Sequence, residues 1–165
     1  MVARKLARAH RVGYNQAMKR LLLLSTVALF GAITNAQFTA APDVPAYNAA
    51  PPPKTAKLNP ILLREYRQGE LFSHTAQTET YKQAEQIASV LYQLPCYCHC
   101  DRSHGHNSLR SCFESEHGAA CGVCMQEELY AYKQFKVGKS AKQIREGIIK
   151  GDYKSIDLEK VPATK

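Results

Sequence analysis

All six cysteines of this chain fall between positions 96 and 124, together with four of its six histidines. The first cluster reads Pro95-Cys96-Tyr97-Cys98-His99-Cys100. Cysteines at alternate positions face one side of an extended backbone, or wrap inward if the backbone coils. Such near neighbours are poorly placed to bond one another, because a disulfide demands particular Cα separations and Cβ directions. They are well placed to converge on one ion, and thiolate-rich sites favour soft metals such as Cu(I) and Zn(II). The second cluster, Cys121-Gly122-Val123-Cys124, opens a predicted helix. Free N–H groups and the helix dipole at such a position stabilise a thiolate. Between the clusters lie Cys112, His106 and His117, the last four residues before Cys121. Imidazole and thiolate together suit zinc or copper. The candidate ligands are therefore Cys96, Cys98, Cys100, Cys112, Cys121, Cys124, His106 and His117, while His99 and His104 read as solvent-facing loop residues.

Three chemistries compete for these residues. Binding of a soft metal ion, Cu(I) or Zn(II), comes first. Thiol–disulfide exchange comes second, with Cys121 as the attacking thiolate and Cys124 as the resolving thiol. A module stapled by disulfides comes third, and six cysteines allow 15 pairings between which the sequence does not choose. Haem attachment is excluded, since Met125 stands where a c-type site requires histidine. The chain shows no Ser/His/Asp triad, no paired catalytic carboxylates and no phosphate-binding glycine loop, so no catalytic residue and no nucleotide are assigned.

Helices must hold this loop in place. Thr80-x-x-Gln83 fits a capping box, and Tyr81, Ala84, Ile87, Ala88, Leu91 and Leu94 recur at helical spacing. The pattern predicts a helix over 80–94 that stops at Pro95. A second main helix is expected over 121–137, with Met125, Leu129, Tyr132 and Phe135 inward and Gly138 as its cap. Ser140-x-x-Gln143 opens a third, with Ile144, Ile148 and Ile149 inward, ending near Gly151. A short helix from Pro60 to Gly69 precedes them, and the residues from Asp152 read as a tail. No alternating strand pattern is present. The fold class is mainly α, a small domain over 60–153 of about three helices, with the Cys/His loop between the two main ones. Residues 37–59, rich in Ala and Pro, read as an extended, disordered spacer.

The charge balance points to export and not to nucleic acid. The net charge of +8 is concentrated at the N-terminus: residues 1–36 hold six of the 22 basic residues and no acid, leaving sixteen basic against fourteen acidic. A near-neutral body offers no electrostatic footprint for DNA or RNA. Met18-Lys19-Arg20, the apolar run Leu21–Ala32 and Thr34-Asn35-Ala36 together read as a signal peptide cleaved before Gln37, with Met18 as the true start. The apolar run is shorter than the ~20 residues that span a bilayer, so no stable membrane span is expected in the mature chain. The expected location is periplasmic or extracellular, where thiols oxidise unless a metal or partner protects them. The expected partners are a metal ion and a metal-delivery or thiol-redox protein.

The region from Thr80 to Tyr153 resembles a bacterial family known by its Pro-Cys-Tyr-Cys-Gly-Cys motif, also called the CYCXC proteins. The residues that carry the resemblance are Pro95-Cys96-Tyr97-Cys98-x-Cys100-Asp101, Gly105-His106-x-Ser108, Cys112-Phe113, His117, Cys121-Gly122-x-Cys124, Gly138-Lys139-Ser140 and Ile144-Arg145. The resemblance implies an exported or lipid-anchored thiol domain. It also implies reactive thiols, since selenocysteine replaces a cysteine in some members. This chain departs from the family pattern in two ways: His99 stands where the family has glycine, and every sulfur position is cysteine, so selenium chemistry is not implied here.

Overall fold

A computed structural model of the chain describes residues 43–163. The signal segment, the start at Met18 and the first part of the Ala/Pro stretch lie outside the described residues. Among the described residues the regular elements are all helical and there is no strand, as the apolar periodicity requires. Three helices carry the fold: α1 over Thr75–Leu91, α4 over Gly122–Lys136 and α5 over Ala141–Lys150. Between α1 and α4 the Cys/His segment forms two single turns, α2 over Cys100–Ser103 and α3 over Leu109–Cys112. None of the described helices is long and apolar enough to cross a membrane.

Helix α1 starts five residues before the position read from the capping pattern. Gln77 accepts the His74 backbone N–H at 3.0 Å, so the reciprocal cap forms at His74. Thr80 is instead a buried interior residue whose hydroxyl donates to the Gln77 carbonyl at 3.0 Å. Tyr81, Ala84, Ile87 and Leu91 form the buried stripe. The helix ends at Leu91, three residues before the expected stop. Leu94 still packs in the core, and its carbonyl accepts the Leu109 N–H at 2.8 Å, tying α3 to the end of α1.

The inward face of α4 is only partly the expected one: Met125 is buried and Tyr132 packs against the core. Cys124, Glu127, Glu128 and Ala131 are buried, whereas Leu129 and Tyr132 are half-buried and Phe135 is exposed. Two glutamates occupy the core stripe, which is why apolar periodicity misses its centre. Helix α5 follows its expected course. Ser140 Oγ accepts the Gln143 N–H, Ile144 and Ile148 are buried, and Gly151 closes the helix at φ 85°. Ile149 is only half-buried. A Cβ on Gly147 would lie 1.9 Å from the Tyr130 hydroxyl, so glycine allows α4 and α5 to meet.

The flanks differ from the sequence expectation. In place of a helix over 60–69 the chain makes 3-10 turns at Arg64–Tyr66 and Glu70–Phe72, separated by Gly69 at φ 79°. Tertiary bonds claim the backbone there: the Leu62 N–H donates to the Phe113 carbonyl at 2.8 Å, and the Arg67 guanidinium donates to the Leu62 carbonyl. The segment after Asp152 packs as well, burying Tyr153, with the Ile156 carbonyl accepting from Gln126 at 2.9 Å. The described part of the Ala/Pro segment has no regular secondary structure and lies against the helices. Ala46 N–H donates to Asp101, Asn48 donates to the Tyr92 carbonyl, and Arg145 stacks 4.5 Å from the Tyr47 ring.

Candidate metal centre

The loop is shaped by three backbone devices. His99 adopts the left-handed conformation (φ 56°, ψ 32°), the only described non-glycine residue with positive φ. This reversal starts α2, so Cys100 turns inward instead of continuing an extended run. The Cys100 carbonyl then accepts the N–H groups of both His104 and His106, at 2.9 and 3.3 Å, with Gly105 at φ 67° completing the turn. That fold-back returns the His106 ring to Cys100. Finally, the buried Tyr81 hydroxyl donates to the Ser115 carbonyl at 2.6 Å and accepts the Ala119 N–H at 3.1 Å. Tyr81 thereby anchors the turn that carries His117 to α1.

These devices bring seven donors together. Cys96 Sγ lies 3.3 Å from Cys98 Sγ and 3.4 Å from Cys124 Sγ, and Cys98 and Cys124 are 3.6 Å apart. Cys100 Sγ is 3.3 Å from Cys112 Sγ. His106 Nδ1 sits 3.1 Å from Cys100 Sγ and 3.3 Å from Cys112 Sγ. All six thiols are free. Bonded sulfurs stand at about 2.05 Å, while sulfurs at the corners of a tetrahedron with 2.3 Å metal bonds stand at about 3.8 Å. The observed separations fall near the second value. Three sets of four donors have all ligand atoms within 4.8 Å of one another: Cys96/Cys98/Cys100/Cys112, Cys98/Cys112/His117/Cys124 and Cys100/His106/Cys112/His117. The site is a Cys/His cluster with the spacing of a metal site.

Hydrogen bonding among the sulfurs splits their acidities. Contact with Cys100 lowers the Cys112 thiol, and Cys98 as well. Cys96 and Cys100 are pushed up, the first by Cys100 and the second by Cys112. Cys121 does not gain the depressed acidity expected at a helix start. It is the N-cap of α4, and although Cys124 lowers it, Cys98 and burial outweigh that, so its thiol is raised. Beside the cluster, burial pushes Glu127 up to about 8, and its Oε1 accepts the Tyr97 N–H at 2.9 Å.

A family described as protein of unknown function with PCYCGC motif matches residues 70–160, more than half of the chain. The chain belongs to the PCYCGC-motif family. No curated protein and no solved structure matches it. In this PCYCGC-motif protein the motif glycine position is the left-handed residue His99, which gives a physical reason for glycine there. The motif's three cysteines all reach the cluster because that residue reverses the chain between Cys98 and Cys100.

Of the eight candidate ligands, Cys96, Cys98, Cys100, Cys112, Cys124, His106 and His117 fall in the donor groups, and Cys121 does not. Cys121 instead lines an open cleft together with Cys98, Cys100, His117 and Gln126. His104 is exposed, as expected, yet its ring meets His117 edge-on at 4.7 Å. His99 is half-buried, its ring edge-on to Tyr97 at 6.0 Å, and so does not face solvent as a loop residue should. Sequence reasoning missed Glu127 and Tyr153. Tyr153 stacks on Tyr97 at 6.3 Å and closes one side of the motif. A glutamate three residues after Cys124, on the same helical face, was the available signal for the first.

Proposed function

We propose that this protein is an exported soft-metal-binding protein that takes up Cu(I) or Zn(II) in the PCYCGC cluster. The observation that carries the reading is the convergence of five thiols and two imidazoles into overlapping four-donor groups. Cysteine and histidine are the ligands these ions prefer. Cys96, Cys100, Cys112 and Cys124 are buried, and Cys98 is half-exposed on the cleft, which offers an ion a route in from solvent. Five thiols converge on shared four-donor groups while Cys121 stands outside them, which favours metal binding over exchange through a Cys121–Cys124 pair. Export rests on the N-terminal sequence pattern. In an oxidising compartment a bound ion would also shield the thiols from disulfide formation.

The test is competition against a chromophoric chelator, using the reduced full chain under anaerobic conditions with Cu(I) and with Zn(II) in turn. The protein is expected to withhold at least one ion from the chelator, and the Cys98→Ser, Cys112→Ser double variant to surrender it. A wild-type protein that surrenders both metals completely would overturn the proposal.

A further inference from the structure

We infer that the cluster holds two soft metal ions in edge-sharing tetrahedra, with Cys100 and Cys112 as the bridging thiolates. This rests on the soft-metal reading and specifies its stoichiometry. One donor group is Cys96, Cys98, Cys100 and Cys112; another is Cys100, His106, Cys112 and His117. They share two members, whose sulfurs lie 3.3 Å apart. A tetrahedral ion takes four donors, and a thiolate sulfur has lone pairs enough to serve two ions. Each quartet is then complete, with Cys96 and Cys98 terminal on one ion and His106 and His117 terminal on the other.

A single ion fits the arrangement less well. Placed in the first quartet, it would leave His106 Nδ1 within 3.3 Å of two sulfurs with nothing to ligate. Placed in the second, it would leave Cys96 and Cys98 as close-packed thiols. Charge argues against a single ion in the first quartet. Four thiolates around one divalent ion sum to −2, a costly charge where Cys96, Cys100 and Cys112 are buried. Four thiolates around two divalent ions sum to zero. The third donor group, which includes Cys124, draws on ligands of both quartets and needs no third ion. Cys124 lies 3.4 Å from Cys96 and 3.6 Å from Cys98, placed to donate its S–H to the terminal Cys98 sulfur. With 2.3 Å metal–sulfur bonds and the shared 3.3 Å edge, the two ions would stand about 3 Å apart.

Native mass spectrometry of the reduced full chain, titrated anaerobically with Zn(II), reads the stoichiometry directly. The wild type is expected to saturate at two ions and Cys112→Ser at one or none. X-ray absorption on the zinc-loaded wild type, which needs no variant to fold, is expected to show metal–metal scattering near 3 Å. Saturation at one ion, retention of two ions by Cys112→Ser, or absence of that scattering would overturn the bridged pair while leaving soft-metal binding intact. Binding of neither Zn(II) nor Cu(I) would overturn both.

Discussion

Cys100 Sγ and Cys112 Sγ lie 3.3 Å apart although they are twelve positions apart in the chain, the first opening one single-turn helix and the second closing the next. Neither turn is long enough to be stable alone. What holds the two sulfurs together is the fold-back at His104–His106 on one side and the Leu109–Leu94 hydrogen bond on the other. The cluster is therefore built on borrowed rigidity: α1 supplies the anchor, and the loop supplies the ligands.

Cys98 and Cys121 should separate cleanly in metal affinity. Cys98 belongs to two donor groups and Cys121 to none. Cys121→Ser is expected to weaken Zn(II) binding by no more than about tenfold, the low end for residues outside the ligand set, and Cys98→Ser by more than about 100-fold. Chelator competition measures both. Equal losses would place Cys121 among the ligands and contradict the assignment.

His99 carries a backbone cost. A non-glycine residue in the left-handed region is disfavoured by about 1–2 kcal/mol, so His99→Gly is expected to stabilise the fold by about 1 kcal/mol, less the entropy a glycine adds to the unfolded chain. Urea unfolding of the two proteins in the same metal state provides the comparison. A destabilised His99→Gly would mean that the imidazole contributes a contact worth more than the strain.

Tyr81→Phe removes both a donor to the Ser115 carbonyl and an acceptor for the Ala119 N–H in a buried site. A loss of about 1–3 kcal/mol is expected from the orphaned backbone groups. Because the turn it anchors carries His117, metal affinity should fall with stability. An unchanged affinity in the folded variant would detach Tyr81 from the positioning of the site.

Glu128 gives the fold a pH dependence. It is fully buried, and neither of its carboxylate oxygens has a hydrogen-bond partner among the described residues. Burial, with Glu79 nearby, raises its pKa well above the ordinary carboxylate value of 4.5. A raised carboxyl binds more protons folded than unfolded, so this group lowers stability as pH climbs above about 4.5, until its folded pKa is passed. Glu127, raised to about 8, adds a loss in the same direction between 4.5 and 8. Glu128→Met is expected to flatten the Glu128 part of that slope and to add about 1–4 kcal/mol at neutral pH. Chemical unfolding at pH 5 and pH 8 tests it; identical slopes in the two proteins would contradict the burial argument.

The sequence was informative where local chemistry decides structure. Ser140 and Gln143 announced the start of α5, and Gly151 its end, because caps and left-handed closures are written in one or two residues. The clustering of cysteine and histidine between positions 96 and 124 was readable from residue types and spacing. What was not readable depended on tertiary partners. Glu127 and Glu128 sit in the core stripe of α4, so hydrophobic periodicity found Met125 but missed the centre of that face. Ile61 and Leu62 looked like a helix start, but the Phe113 carbonyl and Arg67 engage the Leu62 backbone. Cys121 looked like half of a ligand pair, since a Cys-x-x-Cys spacing cannot tell which of its sulfurs faces inward.

If the thiols serve a metal ion, the native intact mass of the protein, isolated from its own compartment without added thiol or chelator, will show it. That mass is expected to exceed the polypeptide's by bound copper or zinc, with all six cysteines alkylated once the metal is removed. A metal-free mass, lighter by the hydrogens lost to disulfides, would contradict metal binding and hand the cysteines to redox or structural bonding.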